Sequence, residues 1–149
     1  MSVILQSVLD TEDLARVCAE LDAAAWSPGK VTAGPAASAL KDNLQAVGDN
    51  PRLLALGRFV QEALQRHPMF DIAARPARQS RILYSRYEPG MAYGAHTDDA
   101  LMGHGADRLR TDLAFTLFLA EPSAYDGGAL VVQSALGEQQ IKLEAGDAI

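Results

Sequence analysis

Apolar residues recur at helical spacing along the first half of the chain and at alternate positions along the second. Asp10 stands as a cap, with Asp13 in the capping-box place, before Leu14, Val17, Leu21 and Ala25 on one helical face. The stretch "WSPGK" ends that helix. A second helix is signalled by "NPRLLALGRFVQEALQRHP", in which Asn50 caps, Pro51 suits the first turn, and Leu53, Leu56, Val60 and Leu64 form an apolar stripe. Pro68 closes it. Between the two, "KVTAGPAASALKDNLQAVGD" mixes glycine, alanine and small polar residues without a clear period, as expected of a loop plus a short helix.

From about Arg78 the period becomes alternating. The pattern predicts strands in "SRILYSRYEP", in "MAYGAHTD", and in "TDLAFTLFLAEP", where Leu113, Phe115, Leu117 and Leu119 share a face. "GGALVVQ" and "EQQIKLE" add two more, and "YDGG" reads as a turn. No helical period returns after Asp71, so the sheet is expected to be antiparallel. The order is α+β in a single domain: residues 1–75 mainly helical, residues 76–149 a run of short strands able to curl into a barrel or jelly roll.

Composition narrows the function classes. With 149 residues, 48% hydrophobic and 21% charged, the chain can bury an ordinary core. A net charge of −6 argues against a binder of phosphate backbones, which needs clustered Lys and Arg, so nucleic acid is not an expected partner. No segment approaches the roughly 20 apolar residues of a membrane span, and no membrane partner is expected. The single cysteine, Cys18, cannot form an internal disulfide, and a reducing cytoplasm is the expected location. Nothing in the sequence speaks to oligomeric state.

The stretch "RYEPGMAYGAHTDDALM" carries the candidate chemistry. His96 and Asp98 are two positions apart, and side chains at i and i+2 converge on one face only if the chain is extended. An imidazole and a carboxylate aimed at one point supply two of the three donors of a 2-His-1-carboxylate iron site, and they also suit zinc or manganese. A hydrogen-bonded structural pair is the bland alternative, since His-x-Asp by itself is a weak signal.

The surroundings add specificity. "RILYSRYEPGMAYGAHTDDALM", "RTDLAFTLFLAEPSAYDGGALVV" and "LEAGDAI", together with "GKVTAGPAASALKDNLQ", resemble the PKHD-type hydroxylases, bacterial iron(II)- and 2-oxoglutarate-dependent dioxygenases related to prolyl 4-hydroxylase. The resemblance implies a double-stranded β-helix (jelly roll) with helices packed outside it. It implies Fe(II) as metal, 2-oxoglutarate as co-substrate, ascorbate as a candidate accessory cofactor, and hydroxylation of a small-molecule or peptidyl substrate. His96 and Asp98 match the family's first two iron ligands, and Tyr87 matches a tyrosine that contacts 2-oxoglutarate in prolyl-hydroxylase relatives. In that family the second histidine and the basic residue for 2-oxoglutarate follow the strand that here begins "GDAI". The expectation is therefore of a jelly roll incomplete at its C-terminal end, with the third ligand after Ile149 and no turnover from these residues alone.

Other residues admit plainer readings. Tyr84 and Tyr93 suit either core packing or substrate contact. Tyr87 is an odd number of positions from His96, so sharing its face requires the "EPG" turn to reset the register. His67 is expected to interact with a helix dipole, and His104 to lie in an exposed loop. Arg108 and Arg110 are either solvated loop charges or a meeting point for an anionic substrate. Two competing functions remain open: a non-catalytic metal-binding or interaction module of the same fold, and a cupin-like metal enzyme that uses no 2-oxoglutarate.

Overall fold

A computed structural model describes residues 2–47, 50–103 and 105–149. Helix α1 spans Thr11–Asp22, where the Asp10 carboxylate accepts the Asp13 amide at 2.8 Å and so satisfies one of the first-turn N–H groups. Val17 and Leu21 are buried, but Ala25 lies beyond the helix and is exposed. The expected stripe is thus one position too long. Helix α3, Pro51–Arg66, follows a four-residue helix α2, Pro35–Ser38, and is capped by Asn50. It buries Leu53, Leu56, Val60 and Leu64 as its pattern predicts. Pro68 does more than end it, because Pro68 opens a further short helix, α4, Pro68–Ala73.

Asp10→Ala removes the α1 cap and is expected to lower stability by about 1 kcal/mol. Asp10→Asn, which keeps the acceptor, should retain most of it. Urea denaturation of the three proteins checks this.

The expected long strands are mostly replaced by short ones. β1 (Trp26–Pro28), β2 (Leu44–Ala46) and β3 (Ser85–Arg86) form an antiparallel sheet in the order β1-β2-β3. The mainly helical part therefore contributes two strands of its own. β4 (Leu101–Met102) pairs with β5 (Leu109–Arg110), and β6 (Leu130–Ser134) with β7 (Gly137–Ile141), the last being the hairpin expected from "GGALVVQ" and "EQQIKLE". All of these pairings are antiparallel, including β1–β2 and β2–β3, whose connections carry helices α2 and then α3 and α4. The architecture is α+β, with three separate small sheets among the described residues.

"TDLAFTLFLAEP" forms no strand of its own. It is held through Thr116 and Phe118, which exchange backbone hydrogen bonds with Ile149, Asp147 and Gly146 at 2.8–3.0 Å. Where that pairing exists, Leu117 and Leu119 pack against the core and Phe118 is buried; where it does not, Leu113 and Phe115 stay exposed. Burial here follows backbone partners rather than alternation alone.

The core joins the two ends of the chain. Leu5, Val8 and Leu9 pack with Val17, Leu21, Val60, Leu64, Phe70 and Ala148. Leu5 and Ala148 exchange both backbone bonds, Leu5 N–H to Ala148 O at 2.8 Å and Ala148 N–H to Leu5 O at 2.9 Å. Among the described residues no helix is long and apolar enough to cross a membrane.

Candidate active site

The segment that carries the candidate residues is laid against the run 40–46. Gln45 faces Ser85 and Leu44 faces Arg86 in the β2–β3 ladder. Further along, Lys41 bridges Tyr93, Asp42 donates to the Ala92 carbonyl at 2.8 Å, and Gly94 donates to the Leu40 carbonyl at 2.9 Å. Between these two stretches the chain turns at Glu88–Met91, closed by a 2.9 Å bond from the Met91 amide to the Glu88 carbonyl, with Gly90 at φ 89°. Extending the β2–β3 register by one residue puts Tyr87 opposite Asn43.

Tyr87 and Tyr93 therefore lie on the same side of this ribbon. The turn removes an even number of residues and leaves the alternation intact, so the reset does not occur at "EPG" as expected. It occurs at a bend at Ala95, just after the last backbone partner, Leu40, is used up. The bend brings the His96 ring back onto Tyr93, stacked with centroids 3.7 Å apart and planes 16° apart.

His96 and Asp98 were expected on a strand, and they are not: residues 95–100 are irregular. A strand needs a neighbour to pair with, and regular pairing resumes only at Leu101–Met102. The side chains nevertheless converge, with His96 Nε2 3.3 Å from Asp98 Oδ1. His96 Nδ1 lies 2.8 Å from the Gly94 carbonyl, which accepts only, so Nδ1 carries the proton and donates. Nε2 is thereby left facing the Asp98 carboxylate, a contact that either a proton on Nε2 or a cation between the two can satisfy.

The donor set fits a metal in part. Donors about 2.0–2.2 Å from an ion and at right angles lie about 3 Å apart, close to the observed separation. A metal-binding histidine commonly donates its other N–H to a carbonyl, as His96 does to Gly94. The ring is well covered, with 24% side-chain exposure, and the carboxylate is open at 69%. Among the described residues no third His, Cys, Asp or Glu joins them in a metal-binding group. His104 lies outside the described residues.

Electrostatics tie this pair to a buried cation. Lys41 is 5% exposed; its Nζ donates to Thr32 Oγ1 at 3.1 Å and sits 5.1 Å from the Tyr93 ring centroid. Burial pulls the Lys41 pKa down and the charge of Asp98 opposes that pull. Burial raises the pKa of the Tyr87 phenol, against a smaller lowering by the nearby Asn43 amide, so Tyr87 remains a hydrogen-bond donor at neutral pH. Tyr87 is 49% exposed. The approach to Asn43 does not complete a hydrogen bond, since neither amide atom of Asn43 finds a partner among the described residues.

The remaining candidates separate from this cluster. Tyr84 belongs to the hydrophobic core, where burial drives its pKa upward. His67 ends α3 and caps α4: its Nδ1 accepts the Met69 amide at 3.3 Å, so Nε2 carries the proton and donates to the Gln6 carbonyl at 3.0 Å. These hydrogen bonds make the ring a tie between two segments, where an interaction with the helix dipole was expected. Arg110 Nε is paired with Asp112 at 2.7 Å.

Lys41, Asn43 and Gln45 escaped the sequence reading. Their signal was present as polar residues at alternate positions in "KDNLQ", a strand pattern with its polar face in place of an apolar one.

Comparison with known proteins settles the family. A PKHD-type hydroxylase of Synechococcus elongatus is 44% identical over 146 residues, covering 98% of this chain and 66% of that protein. A PKHD-type hydroxylase of Thermosynechococcus vestitus is 44% identical over the whole chain, again 66% of its own length, and one of Thioalkalivibrio sulfidiphilus is 41% identical over the same extent. This chain belongs to the PKHD-type hydroxylase family. It spans about two thirds of the length of these curated relatives. No family model matches the chain. Membership in the PKHD-type family supports a hydroxylase.

Proposed function

We propose that this chain carries two iron ligands, His96 and Asp98, of an Fe(II)- and 2-oxoglutarate-dependent oxygenase that hydroxylates a small-molecule or peptidyl substrate in the cytoplasm. In this reading the strands belong to a double-stranded β-helix, the third ligand and the basic partner of 2-oxoglutarate lie beyond residue 149, and ascorbate is an accessory cofactor. The observation that carries it is the convergence of His96 Nε2 and Asp98 Oδ1 at 3.3 Å while Nδ1 is committed to the Gly94 carbonyl.

When bound, Fe(II) together with 2-oxoglutarate supplies the oxidising chemistry, and the protein supplies placement. The Gly94 carbonyl fixes the tautomer and tilt of His96. Tyr93 covers one face of the imidazole and keeps water from it. The Tyr87 hydroxyl, protonated at working pH, is placed to donate to a carboxylate of 2-oxoglutarate.

Anaerobic titration with Fe(II) and 2-oxoglutarate tests this reading through the visible charge-transfer band of the chelate and, after oxygen is admitted, succinate release. A protein of the relatives' full length should show both. Residues 1–149 alone, with two matching metal donors, should bind iron weakly and release no succinate. Full activity from residues 1–149 would overturn the ligand assignment and direct attention to His104.

A further inference from the structure

The ribbon beneath the site is inverted. Lys41, Asn43 and Gln45 occupy alternate positions on one face and are 5%, 3% and 6% exposed, while Asp42 between them is open to solvent. A strand normally buries its apolar face, and polar groups are tolerated inside only when partnered.

The three are partnered unequally. Gln45 is satisfied: its amide donates to Ser85 Oγ at 3.3 Å and its carbonyl accepts from the Thr32 hydroxyl. Lys41, with three donors, has the Thr32 hydroxyl at 3.1 Å and the face of Tyr93. Asn43 has neither its donor nor its acceptor engaged among the described residues. The site is shaped to hold that amide, since a Cβ on Gly29 would stand 1.9 Å from Asn43 Oδ1. Unspent donors thus accumulate at Lys41 and Asn43. This is the end nearest Tyr93, which stacks on His96.

We propose that Lys41 and Asn43 form a carboxylate-binding subsite beside the His96–Asp98 pair. The proposal deepens the oxygenase reading by naming the ligand chemistry of its wall. One ammonium and one amide N–H match the two oxygens of a planar monoanion, whereas a phosphate dianion would meet too little positive charge so close to Asp98. Tyr87, half exposed opposite Asn43, borders the subsite, with its hydroxyl available to the same bound carboxylate. A bound carboxylate also offsets the burial that pulls Lys41 toward its neutral form.

The carboxylate has two sources, the co-substrate or the substrate. Isothermal titration of the metal-free 149-residue chain separates them, with 2-oxoglutarate as one probe and N-acetylglycine as the other. At least one should bind, and Lys41→Met should weaken that probe about tenfold or more. Lys41→Arg should restore much of the affinity. Asn43→Asp, of equal size, should weaken it as well by placing a like charge at the second donor. Succinamide, uncharged, should not bind. Lys41-dependent binding of 2-oxoglutarate assigns the subsite to the co-substrate, and of N-acetylglycine alone to the substrate. Failure of both probes to bind, or affinity unchanged in both Lys41→Met and Asn43→Asp, overturns the proposal. Because no iron is present, that failure is independent of the charge-transfer assay, which judges the oxygenase reading alone.

Discussion

His96→Ala and Asp98→Ala each lower 2-oxoglutarate-dependent succinate release in a full-length protein by more than about 100-fold. Groups that only orient a metal ligand cost roughly 10–100-fold when removed, so a donor atom itself should cost at least that. The same substitutions should leave stability nearly untouched. Asp98 is 69% exposed at its side chain, and residues 95–100 sit outside the sheets and the core cluster, so a change within about 0.5 kcal/mol is expected. Succinate quantified beside thermal melting separates the two effects. Turnover that survives either substitution would remove these residues from the chemistry, and a large fall in melting temperature would mark the pair as structural.

Leu64→Ala should have the opposite profile. Leu64 is fully buried in α3, in the cluster that includes Val17, Val60, Phe70 and Ala148. Truncation removes its transfer free energy and leaves a cavity that the surrounding helices fill only partly, for an expected loss of 2–5 kcal/mol. Leu136→Ala is the control, since Leu136 is 99% exposed at the tip between β6 and β7 and should change stability by less than about 0.5 kcal/mol. Urea midpoints of the two variants provide the comparison, and equal midpoints would contradict the assignment of the core.

The helices were legible because each carries a local instruction. Asp10 and Asn50 announce their caps, and the stripe from Leu53 to Leu64 needs only a 3.6-residue period to be read. Strands depend on partners remote in sequence, and alternation does not say where those partners run out. "MAYGAHTD" alternates well enough, yet pairing stops at Gly94 because Leu40 is its last neighbour. The convergence of His96 and Asp98 was anticipated from their spacing and occurs, although the two residues lie outside any strand. The polar row at Lys41, Asn43 and Gln45 was overlooked for a related reason. In isolation it looks like an exposed face, and only the pairing of 40–46 with both 85–86 and 92–94 turns it inward.

The zipped contact between Leu5 and Ala148 has a consequence for the order in which the molecule matures. Translation at about 5–20 residues per second separates the two by on the order of 10 s. Throughout that interval α1 and α3 exist without Ala148, a fully buried member of their core, and without the carbonyl that accepts the Leu5 amide. A nascent chain is therefore committed to waiting with Leu5, Val8 and Leu9 short of their final neighbours. Ribosome-bound chains stopped just before residue 146 should show a freely exchanging Leu5 amide that becomes protected once 146–149 clear the exit tunnel. The emergence of residues 146–149 sets the time at which Leu5 is secured.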